Sequence, residues 1–408
     1  MSDFNASEAS RCLLCKKPKC ALQGCPVHTP VPECMALYRQ GRVDEAAEML
    51  FQNNPLSAVT SLVCDWKQFC FGHCVLNVKQ APIHWYQVEQ EISGGYLGKV
   101  ILGRRDDSLL GKRIAIVGAG PAGIAAAVWL YQKNATVIMY DANPRMGGVL
   151  RYGIPAFRLD KALVDEYERI LSVVEFRGGV EIESVAPMTS EYDAVIVCAG
   201  AEKPVTLGIP GEERSIQALP FLKDPSSYDL GRRVIVIGGG NVAMDACRTA
   251  VRLGAETWVY YRKTFENMPA NPLEVEEAKA DGVKFKLFQA PVEVREGGVV
   301  FCDCENVVPE GGGRVVTRII PGTEHFVECD TLITAISENP DFMLLSGAEF
   351  APDGWPVIAD NGLVAGLRNV YVAGDFRLGP RTVVEAVASA RLVVDSVSAY
   401  CSGVGVSA

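Results

Sequence analysis

Eight of the 14 cysteines in this 408-residue chain lie between Cys12 and Cys74, and seven of these eight have short spacings. In a long chain without a secretory signal, grouped thiols are more typical of metal binding than of a disulfide framework. Thiolates bind both iron–sulfur clusters and zinc, and Cys12–Cys15 also has the spacing of a zinc pair. With one further ligand, seven thiolates are enough for two tetranuclear iron–sulfur clusters. We interpret Cys34 and the six later cysteines as packing thiols.

A glycine-rich loop follows the predicted strand Arg113–Val117 and precedes a predicted helix at 124–132. Its small residues are Gly118, Gly120, Ala122 and Gly123. Side chains here would keep the backbone away from a dinucleotide pyrophosphate, which binds at the helix N-terminus. Asp141 ends the next predicted strand (136–140), where an acidic residue binds a ribose hydroxyl. Strand, loop, helix and acid in this order predict a dinucleotide site.

The same pattern returns 120 residues later, with strand Arg233–Ile237 before the loop and a helix at 241–253. The loop residues that we predict to bind nucleotide are Gly238, Gly240, Asn241 and Val242. The following predicted strand (257–261) leads to Arg262 and Lys263 instead of an acid. Basic residues at this place suit the 2′-phosphate of NADP, whereas an acid would favour NAD. Two sites with different signatures indicate FAD in one and NADP, or NAD, in the other.

A third element supports the flavin interpretation. A predicted strand at 369–373 is followed by Gly374 and Asp375, and Thr382 and Val383 then open a helix. An acid at a strand end beside a helix N-terminus is suited to the ribityl or phosphate region of a flavin. Further strands are predicted at 194–198 and 331–336, so alternating strands and helices favour parallel sheets.

Other segments and the composition limit the alternatives. A helical stretch is predicted at 35–50, and 283–330 is predicted as an antiparallel excursion with a turn at 311–313. With 39 basic and 49 acidic side chains, the formal net charge is −10, which argues against nucleic acid or an anionic membrane as the main partner. There is no apolar run of about 18 residues and no signal peptide, so we expect a cytoplasmic protein.

Together these residues resemble the small, NADPH-oxidising subunit of bacterial glutamate synthase. They are equally similar to the N-terminal half of dihydropyrimidine dehydrogenase and its stand-alone bacterial counterpart. The resemblance covers nearly the whole chain. Its markers are the segments 11–15, 25–26, 54–56, 147–148, 151–155, 238–245, 248–250, 261–270 and 374–375. Two departures are a gap between Cys20 and Cys25 that is one residue longer than in the family, and Thr60, where the family often has a cysteine that is not a ligand. The dihydropyrimidine dehydrogenase pattern also has a second Arg near Pro269, and its absence here weakens the NADP assignment.

The resemblance implies an α/β fold with a helical N-terminal iron–sulfur domain and two Rossmann-like domains, the second inserted in the first. The implied boundaries are 1–110 for two [4Fe–4S] clusters, 111–218 with 332–408 for FAD, and 219–331 for NAD(P)H. It adds Gly148, Arg151 and Arg158 to the FAD site. One implied ligand set is Cys12, Cys15, Cys20 and Cys74. The other is Cys25, Cys64, Cys70 and a polar side chain, best matched by Glu89, with Gln87 and Gln90 as alternatives.

The implied function is that of an NAD(P)H-oxidising subunit that passes electrons through FAD and the clusters to a larger catalytic subunit or to ferredoxin. We therefore expect a hetero-oligomer, and we assign no catalytic acid or base because hydride transfer depends on stacking and distance. A dihydropyrimidine dehydrogenase subunit and a ferredoxin-linked or bifurcating oxidoreductase are alternatives. A disulfide reductase is disfavoured because the nicotinamide segment has no Cys-x-x-Cys. A zinc-stabilised nucleotide sensor is a non-catalytic alternative.

Overall fold

The structure is a computed structural model that describes residues 2–307 and 315–403. The predicted turn at 311–313 lies outside the described residues. The chain divides into two compact units. Unit 1 contains the residues up to Arg151, Ala156–Ala201 and the segment from Pro340 onward, and unit 2 contains Tyr152–Pro155 and Glu202–Asn339. Unit 2 is thus inserted into unit 1 along the chain, as the predicted fold class requires.

The elements follow in chain order. The N-terminal region contains α1 Asp3–Arg11, α2 Lys19–Leu22, α3 Val31–Arg39, α4 Val43–Asn53, α5 Ser57–Val63 and α6 Trp85–Leu97. Next come β1 Arg113–Val117, α7 Pro121–Gln132, β2 Thr136–Asp141, α8 Val149–Tyr152, α9 Lys161–Ile170, β3 Glu175–Gly178 and β4 Ala194–Val197. The inserted unit begins with β5 Lys203–Pro204, β6 Ile216–Gln217, α10 Ala218–Lys223, β7 Arg233–Ile237, α11 Asn241–Arg252, β8 Glu256–Tyr261 and α12 Pro272–Ala280.

The inserted unit continues with β9 Lys284–Leu287, β10 Gln289–Arg295, β11 Gly298–Val307, β12 Val316–Ile319, β13 His325–Glu328, β14 Thr331–Thr334 and β15 Glu338–Asn339. The chain then returns to unit 1 with β16 Val370–Val372, α13 Asp375–Leu378 and α14 Val383–Cys401. Among the described residues, none of these helices combines the length and hydrophobicity that crossing a bilayer requires.

The N-terminal helices enclose a small core of their own, which includes Met35, Tyr38 and Leu50. The prediction of one helical stretch over 35–50 is wrong, because α3 ends at Arg39 and α4 begins at Val43. Gly41 breaks the helix with a positive φ of 73°, a conformation that costs glycine little and other residues more. Apolar residues have helical spacing on both sides of this turn, so the sequence pattern does not reveal the break between α3 and α4.

Unit 1 contains a parallel five-stranded sheet in the order β16-β4-β1-β2-β3. Its central strands are buried runs of β-branched residues, typical of a sheet covered on both faces. The helix α7 begins with Pro121 at its first position and is buried along almost its whole length. Pro fits this position because the first helical N–H needs no intrahelical partner. The predicted strands at 113–117, 136–140, 194–198 and 369–373 are all confirmed to within one residue.

Unit 2 repeats the parallel pattern with the strand order β6-β14-β7-β8-β9. An antiparallel layer adds β10, β11, β12 and β13, with β11 at its centre. The antiparallel prediction for 283–330 is therefore confirmed for β10 to β13 and wrong for β9, which pairs in parallel with β8. Alternation along β9 does not distinguish an edge strand of a parallel sheet from an antiparallel strand.

Within unit 1, side chains of α7, α9 and α14 donate hydrogen bonds to carbonyls at the end of α4 and just after it. Trp129 Nε1 donates to the Gln52 carbonyl over 3.1 Å, and the Tyr167 hydroxyl donates to the Pro55 carbonyl over 3.0 Å. The Arg391 guanidinium donates to the carbonyls of Gln52 and Asn53. Gln52 and Asn53 lie in the last turn of α4, where carbonyls lack intrahelical partners, and Pro55 lies in the link between α4 and α5. Hydrogen bonds from these three side chains to backbone carbonyls therefore hold the N-terminal helices against the part of unit 1 that contains the parallel sheet.

We expect Tyr167→Phe to lower the free energy of unfolding by about 1–3 kcal/mol, because it leaves the buried Pro55 carbonyl without a donor. Tyr167 is fully buried, so water cannot replace the hydroxyl. Urea unfolding followed by circular dichroism measures the change. Tyr131→Phe is the matched control, since the described residues provide no hydrogen-bond partner for the Tyr131 hydroxyl. Equal stability of the two variants would contradict the expected anchoring.

Candidate cofactor sites

The first glycine loop lies at the carboxyl end of β1, where the chain turns sharply into α7. Gly118 has a φ of 104°, and a Cβ there would lie 2.3 Å from the Cys198 carbonyl oxygen. A Cβ on Gly123 would lie 2.0 Å from the Gly118 carbonyl oxygen. Only glycine fits either position without backbone movement. The loop therefore leaves the N-terminus of α7 uncovered, as a dinucleotide site needs.

Asp141 is the last residue of β2, and its carboxylate contacts the same loop. It accepts a hydrogen bond from the Ala119 backbone N–H over 2.7 Å and another from the Asn143 N–H over 2.7 Å. The Gly118 N–H donates to the Tyr140 carbonyl over 2.7 Å. The acidic side chain is thus fixed beside the glycine loop, at the position that the sequence predicts for ribose binding.

Two other segments complete this site around α7. A Cβ on Gly148, whose φ is 50°, would lie 2.7 Å from Gly120 Cα, so the two backbones are in close contact. A Cβ on Gly374 would lie 2.9 Å from Ala122 Cβ, which places the end of β16 against the start of α7. Asp375 follows in α13. Predicted residues from three distant parts of the sequence therefore meet at one helix N-terminus.

Thr382 caps α14 in a capping box with Glu385, so Thr382 and Val383 lie at an ordered helix start.

Arg151, another predicted FAD residue, has partners within the protein. Its guanidinium pairs with Asp165 over 2.8 Å and donates to the Met146 carbonyl over 2.7 Å. Arg158 lies in the turn that precedes α9. The role of these two arginines in cofactor binding stays a prediction.

The second glycine loop, in unit 2, repeats this construction at the end of β7. Gly238 has a φ of 149°, and a Cβ there would lie 2.2 Å from the Ala335 carbonyl oxygen. Gly240 is the N-cap of α11, and Asn241 Oδ1 accepts from the Asn271 N–H over 2.8 Å. Val242 follows in the first turn of the helix. This helix start has the backbone geometry that we expect of a second phosphate site.

Arg262 and Lys263 come directly after β8, which pairs with β7 in parallel. Both basic residues therefore lie at the same sheet edge as the glycine loop. Arg262 is exposed, and Lys263 Nζ donates to the Val315 carbonyl over 3.0 Å. The cysteines of this unit, Cys247, Cys302, Cys304 and Cys329, are all buried. Burial does not suit a redox-active dithiol, which must be accessible.

The clustered cysteines of the N-terminal region lie close enough to influence one another electrostatically. Burial first, and then the negative charges of Cys74, Cys12 and Cys15, raise the pKa of Cys20 to about 12. Burial and then the charges of Glu89, Cys25, Cys70 and Asp65 raise the pKa of Cys64. The charge of Cys20 also raises the pKa of Cys70, which belongs to the other predicted ligand set, so these effects do not by themselves divide the cysteines into two sets. A cavity is lined by five of the cysteines, namely Cys12, Cys15, Cys20, Cys70 and Cys74.

Glu89 lies on the buried face of α6, and burial raises its pKa to about 8. Gln90 is exposed, and Gln87 is half-buried with its amide near the Tyr86 hydroxyl. The charge of Glu89 also raises the pKa of Cys25 and Cys70. Of the three candidates, Glu89 is the one that shares its surroundings with the second cysteine set.

Sequence reasoning missed residues that position these thiols. The Arg39 side chain donates to the carbonyls of Ala9, Ser10 and Cys12, which fixes the start of the first cysteine loop. The Thr29 hydroxyl lies 3.2 Å from Cys25 Sγ. A Cβ on Gly24 would lie 2.8 Å from the Phe69 carbonyl oxygen, so this glycine lets two cysteine loops approach each other. Arg39 and Thr29 act through tertiary contacts that no local motif encodes.

The donor set fits an iron–sulfur group chemically. Buried thiols with raised pKa values are neutral by themselves, and a bound cation is what keeps them ionised as ligands. Soft thiolates with one carboxylate suit iron. Within 2–307 and 315–403, no three His, Cys, Asp or Glu side chains are spaced to hold a single metal ion.

The chain matches two known protein families over most of its length. Residues 112–390 match the family described as pyridine nucleotide-disulphide oxidoreductase. Residues 2–95 match the family of dihydropyrimidine dehydrogenase domain II, 4Fe-4S cluster. The first match contains both glycine loops, and the second contains every predicted cluster ligand. The predicted FAD and nicotinamide nucleotide sites and the predicted iron–sulfur region thus fall within separate matched segments.

Individual proteins that this chain resembles belong to the same kind of oxidoreductase. The glutamate synthase [NADPH] small chain of Escherichia coli is 32% identical, over 96% of this chain and 90% of that protein. The NADP(+)-dependent formate dehydrogenase subunit beta of Moorella thermoacetica is 31% identical, over 93% of this chain and 59% of that protein. Mycobacterium tuberculosis FprA in complex with NADPH, at 22% identity, has the same fold over 70% of this chain and 84% of its own, with a TM-score of 0.60. The resemblance inferred from the sequence is confirmed.

We expect Gly148→Ala to lower the flavin content of the purified protein by more than tenfold, because the added methyl group would fill the space beside Gly120. The flavin-to-protein absorbance ratio measures this. Gly179→Ala is the matched control, since Gly179 also has a positive φ, of 71°, but has open space around its Cβ position. A similar flavin loss in both variants would attribute the effect to backbone strain and contradict a cradle at Gly120 and Gly148.

Proposed function

We propose that this chain, which belongs to the pyridine nucleotide-disulphide oxidoreductase family, is the electron-input subunit of a larger redox enzyme. The chain is an NAD(P)H-dependent flavoprotein oxidoreductase. In the proposal it oxidises NAD(P)H, and electrons leave through the N-terminal iron–sulfur region to a partner subunit. The observation that supports this most strongly is the anchoring of the cysteine-bearing helices on the flavin-type sheet within one compact unit.

The flavin would be held by the backbone around the start of α7. In this proposal the pyrophosphate lies on the N–H groups of Gly120, Ala122 and Gly123, and Asp141 binds a ribose hydroxyl. Asp375, Thr382 and Val383 would bind the ribityl side at two further helix starts. When bound, FAD accepts two electrons as hydride and releases them singly, which is what connects a nicotinamide to one-electron carriers.

The nicotinamide nucleotide would be bound in unit 2 by Gly238, Gly240, Asn241 and Val242. Arg262 and Lys263 lie at the sheet edge where an adenosine 2′-phosphate belongs, and we propose NADPH as the preferred donor. Accordingly we assign 219–331 to NAD(P)H, 111–218 with 332–408 to FAD, and 1–110 to the clusters. These proposed boundaries differ from the compact units, because unit 2 also contains 202–218 and 332–339, with β6 and most of β14 in its parallel sheet.

We propose two [4Fe–4S] clusters. One would be bound by Cys12, Cys15, Cys20 and Cys74, and the other by Cys25, Cys64, Cys70 and Glu89. The charges of Cys74, Cys12 and Cys15 on Cys20, and of Glu89, Cys25 and Cys70 on Cys64, support this division. The final acceptor would be a larger catalytic subunit in a hetero-oligomer, similar to that of glutamate synthase, whose small chains are among the relatives.

Anaerobic addition of NADPH to the natively purified protein tests this function. We expect the flavin absorbance and the broad absorbance near 400 nm both to bleach, with about eight iron atoms and eight labile sulfides per chain. Bleaching of the flavin alone, with no labile sulfide, would overturn the proposal.

The cluster division has its own test in Cys64→Ser, which we expect to retain about half of the iron because it removes a ligand of one proposed cluster. Cys34→Ser is the matched control. Cys34 is fully buried in the same helical core but belongs to neither ligand set, and its thiol contacts the Ala46 carbonyl. Iron content measured after anaerobic purification distinguishes the two. An equal loss in both variants would contradict the ligand assignment.

We expect Arg262→Ala to raise KM for NADPH about tenfold and to leave KM for NADH unchanged, because a charged hydrogen bond to a phosphate contributes about 1.5–3 kcal/mol. Steady-state reduction of a quinone acceptor measures both constants. Arg295→Ala is the control, because Arg295 is an exposed arginine of the same unit that pairs with Glu293. An unchanged ratio of the two KM values would show that Arg262 does not select NADPH.

A further inference from the structure

The cysteine-bearing loops carry an unusual charge pattern. The segments 9–32 and 66–88 contain six Lys or Arg residues and no Asp or Glu, although acidic residues outnumber basic ones in the whole chain, 49 to 39. Five of the six are lysines, and all five are exposed: Lys16, Lys17, Lys19, Lys67 and Lys79. The sixth, Arg11, pairs with Glu8. We call the five lysines the basic face.

Nothing within the described part of the chain neutralises the basic face. Elsewhere, exposed lysines often have a carboxylate partner, as Lys279 does with Glu276 and Lys284 with Glu256. None of the five lysines forms such a pair among the described residues. Five unpaired lysines on one surface produce a local positive potential on a chain whose net charge is −10.

Part of the basic face adjoins the predicted cluster ligands. Lys19 and the exposed Leu13 line the same cavity as Cys12, Cys15 and Cys20. Lys79 follows the 3₁₀ turn Val75–Val78, which begins immediately after Cys74. A protein that binds here therefore reaches the surface nearest to the cysteines, and one-electron transfer between proteins requires such proximity.

An aromatic patch adjoins the basic face and consists of Phe4, Trp66, Phe71, His84 and Tyr86. The rings of Trp66 and Tyr86 are stacked at 4.4 Å, and Phe71 contacts both Trp66, at 4.9 Å, and His84, at 5.0 Å. Every member is at least partly exposed. The Lys67 ammonium lies 5.5 Å from the Trp66 ring, so the patch and the basic face are continuous. Partly exposed aromatic residues with a charged rim are typical of protein interfaces.

We propose that the electron acceptor docks on the basic face and the aromatic patch through a carboxylate-rich surface around its own redox centre. This inference rests on the proposed function. Each NAD(P)H supplies two electrons, so NAD(P)H and two oxidised one-electron acceptors yield NAD(P)⁺, one proton and two reduced acceptors. Charge complementarity would steer the acceptor to the loops that carry the cysteines, and the aromatic patch would exclude water at the contact.

The test uses two haem proteins of similar size and opposite charge as acceptors for the anaerobically purified holoprotein: soluble cytochrome b5, which is acidic, and cytochrome c, which is basic. With NADPH as donor, kcat/KM for cytochrome b5 should fall as salt increases, because salt screens attraction between exposed charges. K16E/K17E/K67E should lower the ratio of kcat/KM for cytochrome b5 to that for cytochrome c by more than tenfold.

K279E/K284E/K286E is the matched control, because it makes the same change of charge at exposed lysines of unit 2. It should leave the ratio unchanged. If the lysines only compensate the charge of the clusters, charge reversal will change kcat/KM for both cytochromes by the same factor or lower the iron content. Either result overturns the docking proposal. An unchanged ratio in K16E/K17E/K67E overturns it as well. Failure of the proposed function is distinguishable, since neither cytochrome would then be reduced while the flavin still bleached.

Discussion

The carbonyl groups at the end of α4 are the constraint on which the arrangement of unit 1 depends. A helix end leaves its last carbonyls without intrahelical partners, and burying them unpaired is costly. Here Trp129, Tyr167 and Arg391, from three separate helices of the flavin-type part, supply the donors. Arg391 also lies 4.8 Å over the Trp129 ring. Because the donors belong to rigid helices, the cysteine-bearing region has a fixed position relative to the first glycine loop.

Both dinucleotide sites are built from backbone, which explains why they could be predicted from sequence. Gly118 and Gly238 each face a carbonyl oxygen that a Cβ would strike. A position that tolerates only glycine leaves a signal in the sequence itself, and the strand before it and the helix after it have their own hydrophobic patterns. The positions of the strands along the chain, the parallel sheets and the acid at Asp141 followed from the same local information, whereas the order of strands within each sheet did not.

What the sequence left undetermined depends on contacts between distant segments. The turn at Gly41 interrupts an apolar pattern that continues on both sides. The parallel pairing of β9 is decided by β8, which lies beside it, and not by its own residues. Arg39 and Thr29 support the cysteine loops only because folding brings them there. Arg151 is a further case. The family motif implies that it contacts the cofactor, whereas in the structure its guanidinium pairs with Asp165.

In the N-terminal region, the buried ionisable groups and the surface charges can be considered together. Inside, burial raises the pKa values of Cys20, Cys64 and Glu89, so these groups ionise only if a cationic group compensates them. Outside, the segments 9–32 and 66–88 contain no Asp or Glu, although Asp65 directly follows Cys64 and raises its pKa. A carboxylate placed there would compete for the cation and repel the ionised thiolates across a short distance of low dielectric. Because 9–32 and 66–88 contain no acidic residue, their five exposed lysines produce a local positive potential on the surface near the buried ligands.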